Sequence, residues 1–162
     1  MPNNVKDFGA AGDGIADDRL PIQKAIDDAV ANDRGGILFP SGTYRVSRVT
    51  VPGGRWSLDL NSVQDFMVLG EGPKSVVKLI DTTAATGDWS VFVLRNNCRR
   101  IVFKDLVVDG NRRRRKPFPL RNTEPALPEA ASRYGVEARD DARHVVDHVQ
   151  MVAVQDRRGH KR

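Results

Sequence analysis

The chain has a single cysteine, Cys98, in 162 residues. That excludes an internal disulfide and any metal centre built from cysteine thiolates. A lone free cysteine is usually buried and inert, so Cys98 is expected to be a packed or turn residue rather than a nucleophile. No apolar run approaches the roughly eighteen residues that a membrane-spanning helix needs, and no membrane association is expected. The opening residues Met1-Pro2-Asn3-Asn4 lack the basic and apolar blocks of an N-terminal signal peptide. Aromatic side chains make up only 6% of the sequence. None is interleaved with the basic runs, which argues against a nucleic-acid partner. Helical periodicity is equally scarce after residue 33, apart from a marginal stretch at 127–132. A doubly wound sheet needs a crossover helix between most strands and is excluded on that ground. What remains is 40% hydrophobic, enough for one domain with a core.

The first forty-odd residues carry the densest pattern. Gly9, Gly12 and Gly14, with Asp13 between them, read as a sharp turn. Asp17 and Asp18 precede a helical pattern near residues 20–32, where carboxylates accept bonds from free N–H groups and favour the positive helix end. Ile22, Ala25, Ile26, Ala29 and Val30 form one apolar stripe. Gly35-Gly36 is expected to end that helix. Ile37-Leu38-Phe39 then reads as a buried strand stopped by Pro40, within a Pro-x-Gly-x-Tyr pattern formed by Pro40, Gly42 and Tyr44.

The rest is a succession of short apolar runs. Strands are expected at residues 44–51, 57–60, 66–69, 76–81, 91–94, 101–103 and 106–108, the last closed by Asp109-Gly110-Asn111. Further candidates lie at 135–138, 145–147 and 149–154. Two blocks look like copies: 89–93 with 134–138, and 100–108 with 143–151. A repeat whose units bury their faces only against neighbours is the mark of a solenoid. The expected organisation is one domain over 1–157. It comprises an opening segment and cap helix (1–43), first coils (44–111), a basic, proline-rich loop insertion (112–133) and a further coil (134–157), followed by a basic tail (158–162).

At this point a family resemblance can be stated. Asn4-Val5-Lys6-Asp7-Phe8-Gly9-Ala10, Gly12-Asp13-Gly14, Asp17-Asp18-Arg19, Tyr44-Arg45-Val46-Ser47, Val77-Lys78-Leu79-Ile80-Asp81 and Asp109-Gly110-Asn111-Arg112 together resemble the start of pectate-lyase-superfamily proteins. Within that group the chain is most similar to the catalytic module of mannuronan C5-epimerases. The resemblance implies an all-β fold: a right-handed parallel β-helix, seen here as the N-terminal cap helix and first coils. It implies an acidic polysaccharide as partner, an extracellular location, and calcium as a cofactor on family grounds alone; the residues themselves show no cofactor or metal site. It also implies a Tyr-Gly-Phe-Asp-Pro-His catalytic segment and a lysine from the loop after the Asp-Gly-Asn turn. Lys116 is the candidate for that lysine. Residues 156–162 read Asp-Arg-Arg-Gly-His-Lys-Arg where the segment would fall, so the catalytic residues are otherwise unknown. The expectation is therefore the N-terminal part of an enzyme that modifies acidic glycans, alginate C5-epimerase-like or a related pectate lyase- or polygalacturonase-like enzyme, truncated and inactive alone. A phage tailspike or adhesin segment that binds glycan, trimeric in the tailspike case, is the alternative.

The formal net charge is +5, concentrated in Arg112-Arg113-Arg114-Arg115-Lys116 and in the tail. Arginine pairs with carboxylates in a fork geometry. Arg112, Arg113, Arg115 and Lys116 are therefore the candidate contacts to a polyuronate, against the plainer reading of a solvated loop. His144 and His148 sit four apart but in a strand-like run, too far apart for a shared metal. Asp140, Asp141 and Asp147 read as turn and exposed-strand residues rather than an acid–base pair.

Overall fold

In the computed structural model, residues 1–49, 56–80 and 90–110 are described, with the strand backbone at 136–138 and 150–152. The short apolar runs become strands that pair with distant runs, never with their neighbours in sequence. Strands β1 (Asn3–Asn4) and β2 (Asp13–Asp17) come first, then helix α1 (Arg19–Ala31). Next come β3 (Gly36–Phe39), β4 (Gly42–Val46) and β5 (Trp56–Asn61), each in a different sheet; β3 pairs with β1, β4 with β2, and β5 starts its own. The following three, β6 (Gln64–Gly70), β7 (Ser75–Leu79) and β8 (Ser90–Arg95), return onto β3, β4 and β5 in parallel. β9 (Arg99–Lys104), β10 (Val107–Asp109) and β11 (Val136–Ala138) repeat the circuit, and β12 (Gln150–Val152) begins another. Three parallel sheets result, β1-β3-β6-β9-β12, β2-β4-β7-β10 and β5-β8-β11. This is a parallel β-helix with right-handed crossovers and about 33 residues per early coil.

Alternation along each strand sends every second side chain inward. Stacking of coils then aligns like with like. Ile37, Val68 and Phe103 form one buried ladder, and Tyr44, Val77 and Val108 another. Leu58 lies on Phe92, and Leu60 on Leu94. Phe39 meets Tyr44 edge-on at 5.2 Å and Phe92 meets Phe103 at 5.2 Å, so the sheets are joined by aromatic contacts across the core.

The opening motif is a set of close contacts. The carboxylate of Asp18 is buried and accepts from Ala11 N at 2.7 Å and Gly12 N at 3.0 Å. It stands at the head of α1 but makes no side-chain bond to the helix. The capping expectation for Asp18 is thus corrected: the carboxylate is committed to the preceding turn. Asp17 does accept from Arg19 N at 3.1 Å, and also from Ser47 N at 3.0 Å. Asp13 accepts from Ile15 N and Ala16 N at 2.8 Å each, which holds its carboxyl below the usual range. Residues from Asp13 onward form β2 rather than continuing the turn. A side chain on Gly12 would collide with the Tyr44 ring, 2.8 Å from its Cβ, and one on Gly42 with Gly12 O at 2.7 Å. The Tyr44 hydroxyl donates to Pro40 O at 2.8 Å, closing the Pro-x-Gly-x-Tyr pattern.

Other expectations shift. Helix α1 ends at Ala31, capped by Asn32, not at Gly35-Gly36. Gly36 opens β3 instead, where a Cβ would lie 2.2 Å from Met67 O. Glycine is there for close approach of two backbones, not for helix termination. Val30 is 42% exposed, outside the buried stripe of Ile22, Ala25, Ile26 and Ala29. β4 stops at Val46, because the next amide, Ser47 N, turns to Asp17. The repeat register also moves. Val136 pairs with Phe92 rather than Val91, and Gln150 with Val102 rather than Val107. Short apolar runs score similarly in several registers, and the backbone ladder decides between them.

Candidate functional site

The alternation that fills the core turns the other set of side chains outward. On the β2-β4-β7-β10 sheet that row is Asp17, Arg45, Lys78 and Asp109, one per coil. Strand spacing puts successive charges about 5 Å apart. Lys78 Nζ lies 3.9 Å from Asp109, and Arg45 Nη1 donates to Ile15 O at 2.8 Å. Two cations are bracketed by two carboxylates, so the row is neutral and does not itself attract a polyanion. The sequence agrees. Residues 1–110 hold 13 Lys and Arg against 14 Asp and Glu, whereas 111–162 hold 13 against 7. All of the positive excess lies after the third coil begins to close.

The ends of β4, β7 and β10 are stacked, so the connections leaving them start from one side of the solenoid. The third of these connections carries the basic run, with Arg112 three residues beyond Asp109. The described ends of β4, β7 and β10 form one corner of the solenoid. Arg112, Arg113, Arg115 and Lys116 lie outside the described residues, as do Asp140, Asp141, Asp147, His144 and His148.

Across that corner, the β5-β8-β11 sheet presents a second outward row. Asp59 accepts from Arg95 Nε at 3.0 Å and pairs with Arg95 Nη2 as well, a bidentate fork. The guanidinium lies over the Trp56 ring, 4.9 Å from its centroid. Asn61 Oδ1 accepts from Asn96 Nδ2 of the next coil at 2.7 Å. Ser57, two residues before Asp59 on the same row, is buried, and its hydroxyl meets no hydrogen-bond partner among the described residues.

Sequence reading missed Trp56, Asp59 and Arg95. Their signal is a coil-length spacing: Asp59 and Arg95 sit 36 apart, and only an alignment of whole coils would have set them side by side. Cys98 is buried as expected. Its Sγ donates to Leu60 O at 3.2 Å and Arg95 O at 3.1 Å, and burial pushes its thiol pKa up, so it is a structural side chain. Among the described residues no three His, Cys, Asp or Glu side chains come together as metal ligands. Asp13 and Asp17 each accept two backbone N–H groups through Oδ1, and Asp18 accepts one through each oxygen.

Residues 3–78 match the model of a family described as rhamnogalacturonase A/epimerase, pectate lyase-like. Mannuronan C5-epimerase AlgE4 of Azotobacter vinelandii is 40% identical over 114 residues, covering 69% of this chain and 20% of that protein. Its solved A-module superposes with a TM-score of 0.55 at 39% identity, over 68% of this chain and 29% of the module chain. Plasmin and fibronectin-binding protein A of Streptococcus pneumoniae is 49% identical over 59 residues, 36% of this chain and 8% of that protein. The chain thus spans less than a third of the length of each of these relatives.

Proposed function

Residues 3–78 belong to the rhamnogalacturonase A/epimerase, pectate lyase-like family, and on that premise we propose that this chain is the N-terminal β-helix portion of a protein that modifies an acidic polysaccharide, with mannuronan C5-epimerisation the nearest chemistry. The observation that carries this reading is the 40% identity to a mannuronan C5-epimerase across 69% of the chain. That share exceeds the family segment and takes in coils beyond it.

Epimerisation at C5 of a uronate begins with removal of the C5 proton, which is acidic only when the adjacent carboxylate is neutralised. In this chain the neutralising charge is assigned to Arg112, Arg113, Arg115 and Lys116. In sequence they follow Asp109, the last charge of the Arg45–Lys78–Asp109 stack, by three to seven residues. The remaining requirements are a base on one face of the sugar and an acid on the other. Among the described residues no pair of titratable side chains converges in that way. The sequence also contains no Tyr-Gly-x-Asp-x-His segment. Residues 1–162 therefore supply the cap, the first coils and a charged grip on the glycan, and they bind it without turning it over. An extracellular setting, where such polymers are found, belongs to the same reading.

The test is affinity electrophoresis of residues 1–162 through polymannuronate, with proton NMR of the polymer after incubation. Retardation without new guluronate signals is expected. Free migration would refute the glycan reading, and conversion of the polymer would refute inactivity. A second reading, a matrix-binding adhesin segment, is favoured by the 49% identity over 59 residues to a plasmin and fibronectin-binding protein. It predicts retention on immobilised fibronectin and free migration through polymannuronate.

A further inference from the structure

We propose that the outer face of the β5-β8 pair is a sugar-binding step, separate from the basic run, that takes one pyranose ring through its hydroxyls and apolar C–H face. This inference rests on the glycan reading above and names a second place where the glycan is held. The constellation is Trp56, Asp59, Asn61 and Arg95, gathered from two consecutive coils.

The chemistry follows from charge and geometry. Arg95 grips Asp59 in a fork, and their side chains are 27% and 22% exposed, so both ends of the pair are reachable. The pair is neutral overall, which removes the attraction to a carboxylate that the basic run would exert. A carboxylate has about four lone-pair positions, and the fork occupies one on each oxygen. The others remain as acceptors for sugar hydroxyls. Asn61, exposed and two residues along the same face, turns its Oδ1 to Asn96. That orients the Asn61 amide N–H groups as donors about 7 Å from Asp59 along the strand, a span that one pyranose ring bridges. Trp56 is half-buried beside them, and the ring face turned away from the Arg95 guanidinium is the surface proposed for the sugar C–H groups.

The face is also held rigid, as a binding step requires. Asp59 is fixed from behind, because its backbone N–H and C=O both bond the Gln23 side chain. Arg95 is held between the Trp56 ring and Asp59. The hydroxyl of Ser57, buried on the same row with no partner among the described residues, is a polar group left wanting a hydrogen bond.

The experiment uses residues 1–162 with Trp89→Phe, so that Trp56 is the only tryptophan reporter. Oligomannuronate is titrated at low salt and at about 0.5 M NaCl, where the Debye length shrinks to about 4 Å and the basic run is screened. The expected result is a saturable change in Trp56 emission that survives high salt. Asp59→Asn should weaken it roughly tenfold, and Asn61→Ala, at an exposed position, about threefold. Binding by gel retardation with Trp56 emission unchanged would overturn the sugar step and leave the basic-run reading standing. Absence of binding at either salt would overturn the glycan reading itself. A Trp56 response that neither variant weakens, with the fold intact by circular dichroism, would also overturn the step.

Discussion

The side chain of Gln23 stands in for a strand. Its Nε2 donates to Asp59 O at 3.0 Å, and its Oε1 accepts from Asp59 N at 2.8 Å. Strand β5 starts its sheet, so this edge has no earlier coil to pair with. One residue type on the cap helix supplies both ladder bonds that the missing coil would make, and Arg19 Nε adds a third, to Ser57 O at 3.1 Å. Open edges invite pairing with other chains. Gln23→Leu keeps the volume and removes both bonds, leaving two part-buried backbone groups unmet. A loss of about 1–2 kcal/mol is expected in urea unfolding, together with growth of larger species in light scattering. Gln23→Glu keeps only the acceptor and should fall between the two.

Gly36→Ala should be far more damaging than Gly9→Ala. At Gly36 the new Cβ would sit 2.2 Å from Met67 O, an atom of the adjoining backbone, so two coils must move apart. At Gly9 φ is +100° but nothing lies within 4 Å, and the cost is local backbone strain of about 1–2 kcal/mol. Thermal melts of the two variants separate the mechanisms. Equal losses would show that the Gly36 contact relaxes freely.

The solenoid was legible because its coils repeat a physical requirement. Ile37-Leu38-Phe39, Phe66-Met67-Val68 and Ile101-Val102-Phe103 are each too short for a helix and flanked by turn residues, and each lands in the same sheet. The roles of single residues were less legible. Asp18 looks like a helix cap from its neighbours, but its partners, Ala11 and Gly12, are set by how the turn folds back. Among the described residues, seven non-glycine residues adopt positive φ, including Asp65 and Arg100, which occupy matching corners of successive coils and form an ion pair. No propensity marks an arginine for that conformation. Trp56, Asp59 and Arg95 were missed for the same reason: side chains distant in sequence become neighbours only once the coil length is known.

Tyr44 should give the fold an alkaline limit. Burial, with Asp18 and Glu71 nearby, pushes its hydroxyl pKa up to about 12. In the unfolded chain a tyrosine titrates near 10. Below pH 10 both states are protonated and the favourable contribution is fully present. Between about 10 and 12 the unfolded state loses its proton first, so stability falls as pH rises. Tyr44→Phe removes the titration and the bond to Pro40 O. It should be less stable than the parent near pH 8 by about 1 kcal/mol, and the gap should narrow from pH 10 upward. Parallel urea titrations at pH 8, 10 and 11 check this; a gap that does not change with pH would refute it.

Replacing Arg112, Arg113, Arg115 and Lys116 with glutamine should abolish the salt-sensitive part of polymannuronate binding. Residues 1–110 carry no positive excess, with 13 cationic against 14 anionic side chains. The row Asp17, Arg45, Lys78 and Asp109 is balanced within itself. Any long-range attraction to a polyanion must therefore come from residues after 110, and this run is its densest part. Attraction of this kind weakens as salt shortens the Debye length, whereas hydroxyl and aromatic contacts do not. In the parent chain, affinity should drop steeply between about 0.05 and 0.5 M NaCl. In the fourfold variant the low-salt value should fall to the parent's high-salt value and change little thereafter. If the salt slope survived the substitution, the basic tail at 157–162 would be the source, and the assignment of the run to the glycan would fail.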